Sequence, residues 1–344
     1  MRFILCCLTG LILGLAPLAF HSHASGLAKE PAFQENFYGV QILDNRAWIV
    51  GYYGTILHSK DKGISWEIQS SPTPSALFRV RFVNGEKGWI SGSYGTLLHT
   101  ADGGRNWLAR PAGTTEHLFG LTWTDEKLGW AVGSRGTIIH TSDGGGSWID
   151  SSLPEDFTLT SVSFINPTAG WIVGEFGVIF QSQNGGKRWV KQKSPVEVSF
   201  ASGESRKLFA LLFHEADRGW AFGLDGVILK FRAGSRWEIA RQKGDLKSPA
   251  EANHLLSAAA FNGRLWAVGE RGTLLQSRSD GKDWQQVKDR APPLSLNDIA
   301  FGNDGFGLIV GNRGVILRTE NGGASWQRLK ITTEGQRKGR SLIP

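Results

Sequence analysis

The chain has 344 residues, with 38 lysines and arginines against 31 aspartates and glutamates, which gives a formal net charge of +7. This basic balance favours an acidic protein surface or an anionic lipid surface over nucleic acid as a partner. Both cysteines, Cys6 and Cys7, lie at the start of the chain, which excludes a disulfide or a cysteine metal site in the rest. The 45 glycines favour β structure with many tight turns.

Residues 1–24 have the pattern of a secretory signal peptide. Arg2 supplies the positive start, the residues from Phe3 to Phe20 are mostly apolar, and Ser22-His23-Ala24 fits a small-x-small cleavage site. We expect export, cleavage after Ala24 and a periplasmic location. Retention of the segment as a membrane anchor is the alternative, because the apolar run approaches the length that spans a bilayer. The cysteines lie too early for a lipoprotein cleavage site, so we expect no lipidation.

Residues 37–330 consist of seven repeats. Aligned on the glycine that closes a short turn, the copies lie 41 to 49 residues apart, at Gly54, Gly95, Gly136, Gly177, Gly226, Gly272 and Gly314. A period of about 40–50 residues with several short strands per unit is typical of a propeller blade. The sequence therefore predicts an all-β fold, a seven-bladed β-propeller of four-stranded blades.

Each repeat predicts four strands. An apolar run such as Leu77–Val83 comes first, a second strand begins at an opening tryptophan, a third follows the turn glycine, and a fourth begins at a closing tryptophan. This scheme places 13 of the 14 tryptophans and leaves Trp123 unexplained, while Leu308 replaces the opening tryptophan of the last copy. Residues 25–36 form a polar lead-in that could add a strand to close the ring. Residues 331–344 predict a basic, flexible tail.

A second turn, of the form Ser/Thr-x-Asp-x-Gly-x-x-Trp, precedes the closing tryptophan, as in Ser59–Trp66. This is the Asp-box, or BNR repeat, which sialidases and other propellers also carry. Asn184 and Asn321 replace its aspartate, and Ser279 and Arg232 depart further. We expect the Asp or Asn side chain to accept backbone N–H bonds and the tryptophan to pack between blades. Seven such turns on separate blades do not predict a Ca²⁺ site.

Three histidines, His58, His99 and His140, fall at the same place in successive third strands and suggest a metal site. Equivalent positions in neighbouring blades lie about 10 Å or more apart, whereas Zn²⁺ needs ligands at about 2 Å. We therefore interpret the position as a polar one between blades and expect no metal and no cofactor. Later blades carry other polar residues there: Gln181, Lys230, Gln276 and Arg318.

One face of the ring is the candidate binding surface. In a propeller, the turn between the second and third strands opens on the same side as the loops between blades, and the Asp-box turns open on the other. The residue before each turn glycine therefore lines an annular surface, here called the annulus: Tyr53, Tyr94, Arg135, Phe176, Asp225, Arg271 and Arg313.

The composition of the annulus predicts a protein partner. Aromatic residues and arginine are over-represented at the centres of protein contacts, and arginine makes forked contacts with carboxylates. The alternative is that these are ordinary turn residues exposed by geometry. We predict partner binding by the arginines and aromatics of the annulus, extended towards the channel by two residues of the second blade's innermost strand: Arg135, Arg271, Arg313, Tyr53, Tyr94, Phe176, Arg79 and Arg81.

The alternative function is a sialidase-like or other glycan-acting hydrolase that uses the mouth of the channel. Sialidases need an arginine triad and a Tyr/Glu pair, and Phe78-Arg79-Val80-Arg81 is only faintly similar to the sialidase Phe-Arg-Ile-Pro motif. Glycosidases in general need two carboxylates at a defined separation. Nothing in the sequence pairs any two of the loop carboxylates, so we expect no catalytic residue: Glu116, Glu155, Asp156, Glu197, Glu204 and Glu251.

The repeat resembles that of the photosystem II stability/assembly factor family. The shared pattern is Gly-Trp-x-x-Gly-x-x-Gly-Thr-(Ile/Leu)-(Ile/Leu)-His-(Thr/Ser)-x-Asp-Gly-Gly-x-x-Trp, of which residues 129–148 are a close example. The pattern covers about residues 37–329. The resemblance implies a non-catalytic seven-bladed propeller outside the cytoplasm. In photosynthetic members it is an assembly chaperone that binds a newly made reaction-centre subunit of photosystem II, with an arginine-bearing face implicated.

By position, the natural counterparts of that face are Arg135, Arg271 and Arg313. The resemblance therefore implies an assembly or stability factor for a membrane protein complex, with a photosystem II subunit as client where the host is photosynthetic. Its compartment would be periplasmic or similar to the thylakoid lumen. We expect a monomer with peripheral membrane association and no nucleic-acid partner. The chain departs from the family in its plain secretory signal, because cyanobacterial members tend to be lipoproteins and plant members carry plastid targeting.

Overall fold

The computed structural model describes residues 35–202, 204, 206–215, 218–232, 236–242, 252–287 and 291–330. Within them lie seven four-stranded antiparallel sheets, each built from four consecutive strands in chain order. The predicted seven-bladed propeller of four-stranded blades is therefore confirmed. The predicted signal peptide, most of the lead-in, Glu251 and the basic tail lie outside the described residues.

The blades are numbered from the amino terminus, with the innermost strand first in each. Blade one comprises β1 (Phe37–Leu43), β2 (Arg46–Gly51), β3 (Ile56–Ser59) and β4 (Glu67–Ile68). Blade two comprises β5 (Leu77–Phe82), β6 (Gly88–Gly92), β7 (Leu97–Thr100) and β8 (Leu108–Arg110). Blade three comprises β9 (Leu118–Trp123), β10 (Gly129–Gly133), β11 (Ile138–Thr141) and β12 (Ile149–Asp150).

Blades four to seven repeat this plan. Blade four comprises β13 (Leu159–Phe164), β14 (Gly170–Gly174), β15 (Ile179–Ser182) and β16 (Val190–Gln192), and blade five comprises β17 (Leu208–Glu215), β18 (Arg218–Gly223), β19 (Ile228–Arg232) and β20 (Arg236–Arg241). Blade six comprises β21 (Leu255–Phe261), β22 (Arg264–Gly269), β23 (Leu274–Ser277) and β24 (Gln285–Gln286). Blade seven comprises β25 (Leu296–Phe301), β26 (Gly307–Gly311), β27 (Ile316–Thr319) and β28 (Gln327–Arg328).

The core lies between the blades. Second strands such as β6 and β10 are buried along their whole length, because each blade packs both faces against its neighbours. The outermost strands β8 and β12 are exposed. No helix in the described part of the chain is long and apolar enough to cross a membrane.

The Asp-box turn is held by its own side chains. In blade three, Asp143 Oδ1 accepts a hydrogen bond from the Ser147 backbone N–H at 3.0 Å, and Thr141 Oγ1 accepts one from the Gly145 N–H at 2.9 Å. The backbone N–H and hydroxyl of Ser147, followed by the hydroxyl of Thr141, hold the pKa of Asp143 well below its usual range. The predicted structural role of this turn therefore agrees with the hydrogen bonds that it makes.

Blade six builds the same turn with its polar residues exchanged. Ser279 stands where the aspartate is expected, and Asp283 stands four residues later, where the other blades have Ser, Asn or Arg. The Asp283 carboxylate accepts hydrogen bonds from the hydroxyls of Ser277 and Ser279. The departure at Ser279 therefore preserves the hydrogen bonding of the turn.

The opening tryptophan of one blade packs on the Asp-box glycine of the next. A Cβ on Gly145, where φ is +83°, would lie 2.2 Å from Trp89 Cζ2, so that only glycine leaves room for the ring. Leu308 and Phe306 of blade seven take this place over Gly63 of blade one, with 3.4 and 3.6 Å to the corresponding Cβ position. The missing seventh tryptophan is thus replaced by two smaller apolar side chains.

Trp123, which the repeat left unexplained, fills a position at the end of the innermost strand. Phenylalanine occupies it in four other blades, at Phe82, Phe164, Phe213 and Phe301, and each ring lies over the glycine that pairs with it on the second strand. Trp123 covers Gly129 in the same way and stacks on Trp89 with ring centroids 5.4 Å apart. Blades one and six lack the aromatic ring and carry Ala47 and Leu265 instead of the glycine.

The ring closes without an extra strand in the described residues. The Gly314 N–H of blade seven donates to the Glu35 carbonyl at 2.8 Å, as the Gly95 N–H of blade two donates to the Glu116 carbonyl ahead of blade three. Val40 N of blade one donates to the buried Asp298 carboxylate of blade seven at 2.9 Å. Blade seven therefore meets blade one through the same kind of contact that joins the other blades.

Candidate functional site: the annular face

All seven annulus residues adopt the left-handed conformation, with φ between 52° and 57°. Non-glycine residues adopt it infrequently, mostly in tight turns. The turn projects the side chains outwards: Tyr53 is 67% and Tyr94 is 74% exposed. Arg135, Arg271 and Arg313 are exposed as well, while the remaining two, Phe176 and Asp225, are half-buried. The predicted set therefore shares one face, and its role in binding stays a prediction.

Each of three annulus turns is fixed by a side chain from the following blade. The Tyr94 N–H donates to His117 Nδ1 at 3.2 Å, and the Asp225 N–H donates to His254 Nδ1 at 3.2 Å. The Arg313 N–H donates to Asn36 Oδ1 at 3.1 Å, which ties blade seven to the chain just ahead of blade one. These bonds hold the backbone of the three turns in place.

The arginines of the annulus differ in their partners. Arg135 Nε lies 3.8 Å from Glu116 Oε1, with the arginine side chain 71% exposed, so this surface pair contributes little to stability. Among the described residues, no carboxylate lies within ion-pair distance of Arg271 or Arg313. Both guanidinium groups are therefore available to a carboxylate on another molecule.

A second ring of residues lies on the innermost strands, and the repeat pattern alone does not predict it. The pairing of the first two strands shifts at the second residue of the innermost strand in every blade, which is a β-bulge. A bulge leaves one residue without a partner and redirects its side chain. We call these positions the inner ring: Tyr38, Phe78, Phe119, Thr160, Phe209, Leu256 and Asn297.

The inner ring is aromatic over blades one to three. The ring centroids of Tyr38 and Phe78 lie 5.8 Å apart, and those of Phe78 and Phe119 lie 5.1 Å apart. His117 continues the contact from Phe119, at 5.9 Å, to Tyr94 of the annulus, at 4.8 Å. The dipeptide Leu-Phe at the start of three innermost strands is the sequence feature that corresponds to this ring. Without knowledge of the bulge, both of its residues would be assigned to the hydrophobic core.

The two arginines predicted to extend the basic surface lie on the inner strand of blade two. Arg79 Nη1 donates to the Tyr38 carbonyl at 3.0 Å and lies 3.8 Å from Asp298 Oδ2 of blade seven. Arg81 Nη1 donates to the Val80 carbonyl at 2.8 Å. Both side chains are half-buried, unlike the arginines of the annulus, and a role in partner binding stays a prediction.

The longest irregular segment between blades lies between blades four and five. Lys207 Nζ lies 3.3 Å from Glu175 Oε1, and Lys191 Nζ lies 2.6 Å from Glu197 Oε1, so two ion pairs hold it against blade four. Asp225 of the annulus faces a cavity of about 340 Å³ at its edge.

Three of the loop carboxylates lie beside cations. Glu116, Glu197 and Glu204 each lie within ion-pair distance of a lysine or arginine, and Glu155 and Asp156 are exposed. In the described part of the chain, no three His, Cys, Asp or Glu side chains lie close enough to hold a metal ion. Among the five loop carboxylates that the structure describes, no hydrogen bond joins one to another.

The histidines of the third strands pair with the opening tryptophans across the blade. His58 lies opposite Trp48, with ring centroids 4.8 Å apart, and His99 lies opposite Trp89 at 4.4 Å. His140 Nδ1 is 3.0 Å from Ser151 Oγ. Burial lowers the pKa of all three imidazoles. The interpretation as a polar position between blades agrees with these contacts.

His58→Gln should reduce the loss of stability in acid. Burial, with Lys60 adding to it, lowers the pKa of His58 from 6.5 to about 4. The unfolded chain takes up this proton near pH 6.5 and the folded chain only near pH 4. Stability is therefore full above pH 6.5 and falls below it, by roughly 2–3 kcal/mol at pH 4.5. Glutamine is the matched replacement because Gln181 and Gln276 occupy this position in other blades. Urea unfolding at pH 7 and 4.5 measures the difference, and equal losses in both proteins would contradict it.

Comparison with known proteins agrees with the repeat. The family model described as photosynthesis system II assembly factor YCF48 matches residues 30–116 and 109–198. No curated protein sequence matches the chain.

Many solved structures share the fold, and three of them illustrate its range. A structure described as YCF48 bound to D1 peptide is 22% identical, with a TM-score of 0.66, over 84% of this chain and 92% of that one. YCF48 from Cyanidioschyzon merolae is 19% identical, with a TM-score of 0.66, over 84% and 96% of the two chains. A GH74 xyloglucanase from Xanthomonas campestris is 12% identical, with a TM-score of 0.67, over 84% of this chain and 52% of that one.

The propeller fold is common to assembly factors and enzymes, so these structural likenesses show the fold alone. The family is indicated by the repeat itself, which the family model recognises through blades one to four. By these repeats, the chain belongs to the family described as photosynthesis system II assembly factor YCF48.

Proposed function

We propose that this protein is a non-catalytic, exported assembly or stability factor that binds a segment of a membrane protein through the annulus. The observation that carries this proposal is the annulus itself, in which arginines and aromatics project from backbone turns on one face of the ring. Fixed turns lose little conformational entropy when a partner binds, which favours affinity. Arg271 and Arg313, which have no carboxylate within ion-pair distance among the described residues, favour an acidic partner.

The proposed client in a photosynthetic host is a reaction-centre subunit of photosystem II. Membership of the YCF48 family and the description of a related propeller as bound to a D1 peptide support this choice. The net charge of +7 is compatible with peripheral association with an anionic membrane. We further propose a monomer in the periplasm or a lumen-like compartment, on the basis of the signal pattern of residues 1–24. No contact among the described residues favours the alternative hydrolase.

The test is capture of a client from detergent-solubilised membranes of the native host by the protein without residues 1–24. Replacing Arg135, Arg271 and Arg313 together by alanine should lower capture at least about tenfold, since interface arginines are common hot spots. The melting temperature should be nearly unchanged because all three side chains are exposed.

The matched control removes the same charge from the opposite face. Arg105, Arg188 and Arg278 are exposed on Asp-box turns, and their joint replacement by alanine should leave capture intact. Equal loss in both triple variants would show a general effect of charge and refute the annulus. Capture of a membrane complex other than photosystem II would support the role as an assembly factor and contradict the proposed photosystem II client. Capture of nothing by any of the proteins would contradict the proposal.

A further inference from the structure

The central channel carries an excess of positive charge. The seven innermost strands contain four charged residues, Arg79, Arg81, Asp298 and Glu215. Glu215 lies at the far end of β17, where its carboxylate is 3.3 Å from Arg218 Nε. Within the channel proper, two guanidinium groups therefore face one carboxylate.

The single carboxylate is already occupied. Asp298 is 4% exposed, and its two oxygens accept hydrogen bonds from the Val40 N–H and the Ser257 hydroxyl. Its remaining cationic neighbour is Arg79, at 3.8 Å. Asp298 can therefore neutralise Arg79 but does not also pair with Arg81.

The path of Arg79 shows that its side chain lies along the channel wall. It starts on blade two, reaches the Tyr38 carbonyl of blade one and ends near Asp298 of blade seven. Gly39 of blade one makes this crossing possible, because a Cβ there would lie 3.2 Å from the Arg79 Cα and 2.6 Å from the Phe78 carbonyl. Arg81, two residues later on β5, leaves the strand on the same side.

Arg81 has unused hydrogen-bond capacity. Its guanidinium offers five N–H donors, and its one hydrogen bond within the described residues goes to the carbonyl of its own neighbour, Val80. The polar side chain at the same level on blade one, Gln41, already uses both ends of its amide on the backbone of Phe82. Blade five carries Leu212 at this level, and the four remaining blades carry small side chains: Thr122, Ser163, Ala259 and Ala300.

Burial adds a reason for an anion to enter. Burial lowers the pKa of the Arg81 guanidinium, and nearby Arg79 adds to this, although Asp298 opposes the shift. The arginine guanidinium stays charged even when it is buried. A charge that has lost part of its hydration and lacks a direct counter-ion is stabilised by a desolvated anion, most strongly by one that accepts two parallel N–H bonds.

We propose that the channel holds an oxyanion-binding site, in which Arg81, with Arg79 beside it, binds a carboxylate or phosphate group. Arg81 supplies the forked contact and Arg79 supplies additional positive potential. The oxyanion is either a free small anion or the carboxylate of a peptide chain that enters the channel. This site needs no client, so its test is separate from that of the proposed function.

The test uses thermal unfolding of the protein without residues 1–24 in sodium phosphate or sodium acetate, against sodium chloride of equal ionic strength. A saturable rise of about 3 °C is expected once the anion exceeds its Kd about tenfold. Arg81→Met should abolish the rise. Arg110→Met, which removes an exposed arginine from the outermost strand of the same blade, should leave it unchanged. Equal rises in wild type and Arg81→Met, or no saturable rise in wild type, would overturn the proposal.

A second variant and a second probe complete the test. Arg81→Lys keeps the charge and loses the forked donor pair, so it should bind phosphate about tenfold more weakly, and unchanged binding would overturn the assigned contact. Tetraglycine with a free carboxyl terminus is compared with tetraglycine amide. Tighter binding of the free acid than of acetate would identify a chain terminus as the ligand, whereas binding of acetate and phosphate alone would identify a small anion.

Discussion

Gly145→Ala should lower the free energy of unfolding by about 2–5 kcal/mol. Two effects add. A non-glycine residue in the left-handed conformation, here at φ +83°, costs about 1–2 kcal/mol. The new Cβ would lie 2.2 Å from Trp89 Cζ2 of the preceding blade, and overpacking of a well-filled core costs about 1–3 kcal/mol. Urea unfolding followed by near-ultraviolet circular dichroism measures the change.

Gly113→Ala is the control for the backbone. Gly113 also has a positive φ, +73°, but nothing lies within 4 Å of the position of its Cβ. This variant therefore carries the conformational cost without the contact with a tryptophan. If both variants lose the same stability, the packing of the opening tryptophan on the Asp-box glycine contributes nothing measurable, and the joint between blades lies elsewhere.

The fold could be predicted because its pattern is local. A turn glycine and a closing tryptophan recur in each copy, and an opening tryptophan recurs in all but the last. Strands of consecutive sequence form each blade, so no long-range pairing had to be inferred. The joint between blades was harder to predict, since it depends on which residues meet across a gap of about forty residues. Trp123 has a place only once its pairing with Gly129 is known.

The candidate site also has one part that the sequence predicts and one part that it does not. The annulus follows from the position before each turn glycine, which the repeat fixes. The inner ring depends on a β-bulge, because a shift of one residue in register changes which face of the sheet each following side chain lies on. The fixing of Tyr94 by His117 and of Arg313 by Asn36 is also a contact between blades. The repeat predicts neither, because the residues involved vary from copy to copy.

Asp298 both joins blade seven to blade one and balances positive charge in the channel. Asp298→Ala should lower the free energy of unfolding by about 3–5 kcal/mol, because it leaves the Val40 N–H without its acceptor and Arg79 without its counter-charge. Ser257→Ala, which removes only one hydrogen bond to the same carboxylate, should cost about 1 kcal/mol. Urea unfolding measures both values, and equal losses would mean that the carboxylate does not stabilise the closure between blades seven and one.

Phosphate separates the two roles of Asp298. Without this carboxylate, Arg79 and Arg81 both lack a counter-ion, so an oxyanion in the channel should bind more tightly to Asp298→Ala than to the wild type. Added phosphate should then raise the stability of Asp298→Ala more than that of Ser257→Ala, in which the carboxylate remains. The N–H of Val40 stays without an acceptor in either case, so recovery should be partial. Full recovery of stability with phosphate would mean that the loss in Asp298→Ala comes from charge alone. No recovery would mean that the loss comes entirely from the missing hydrogen bonds to blades one and six.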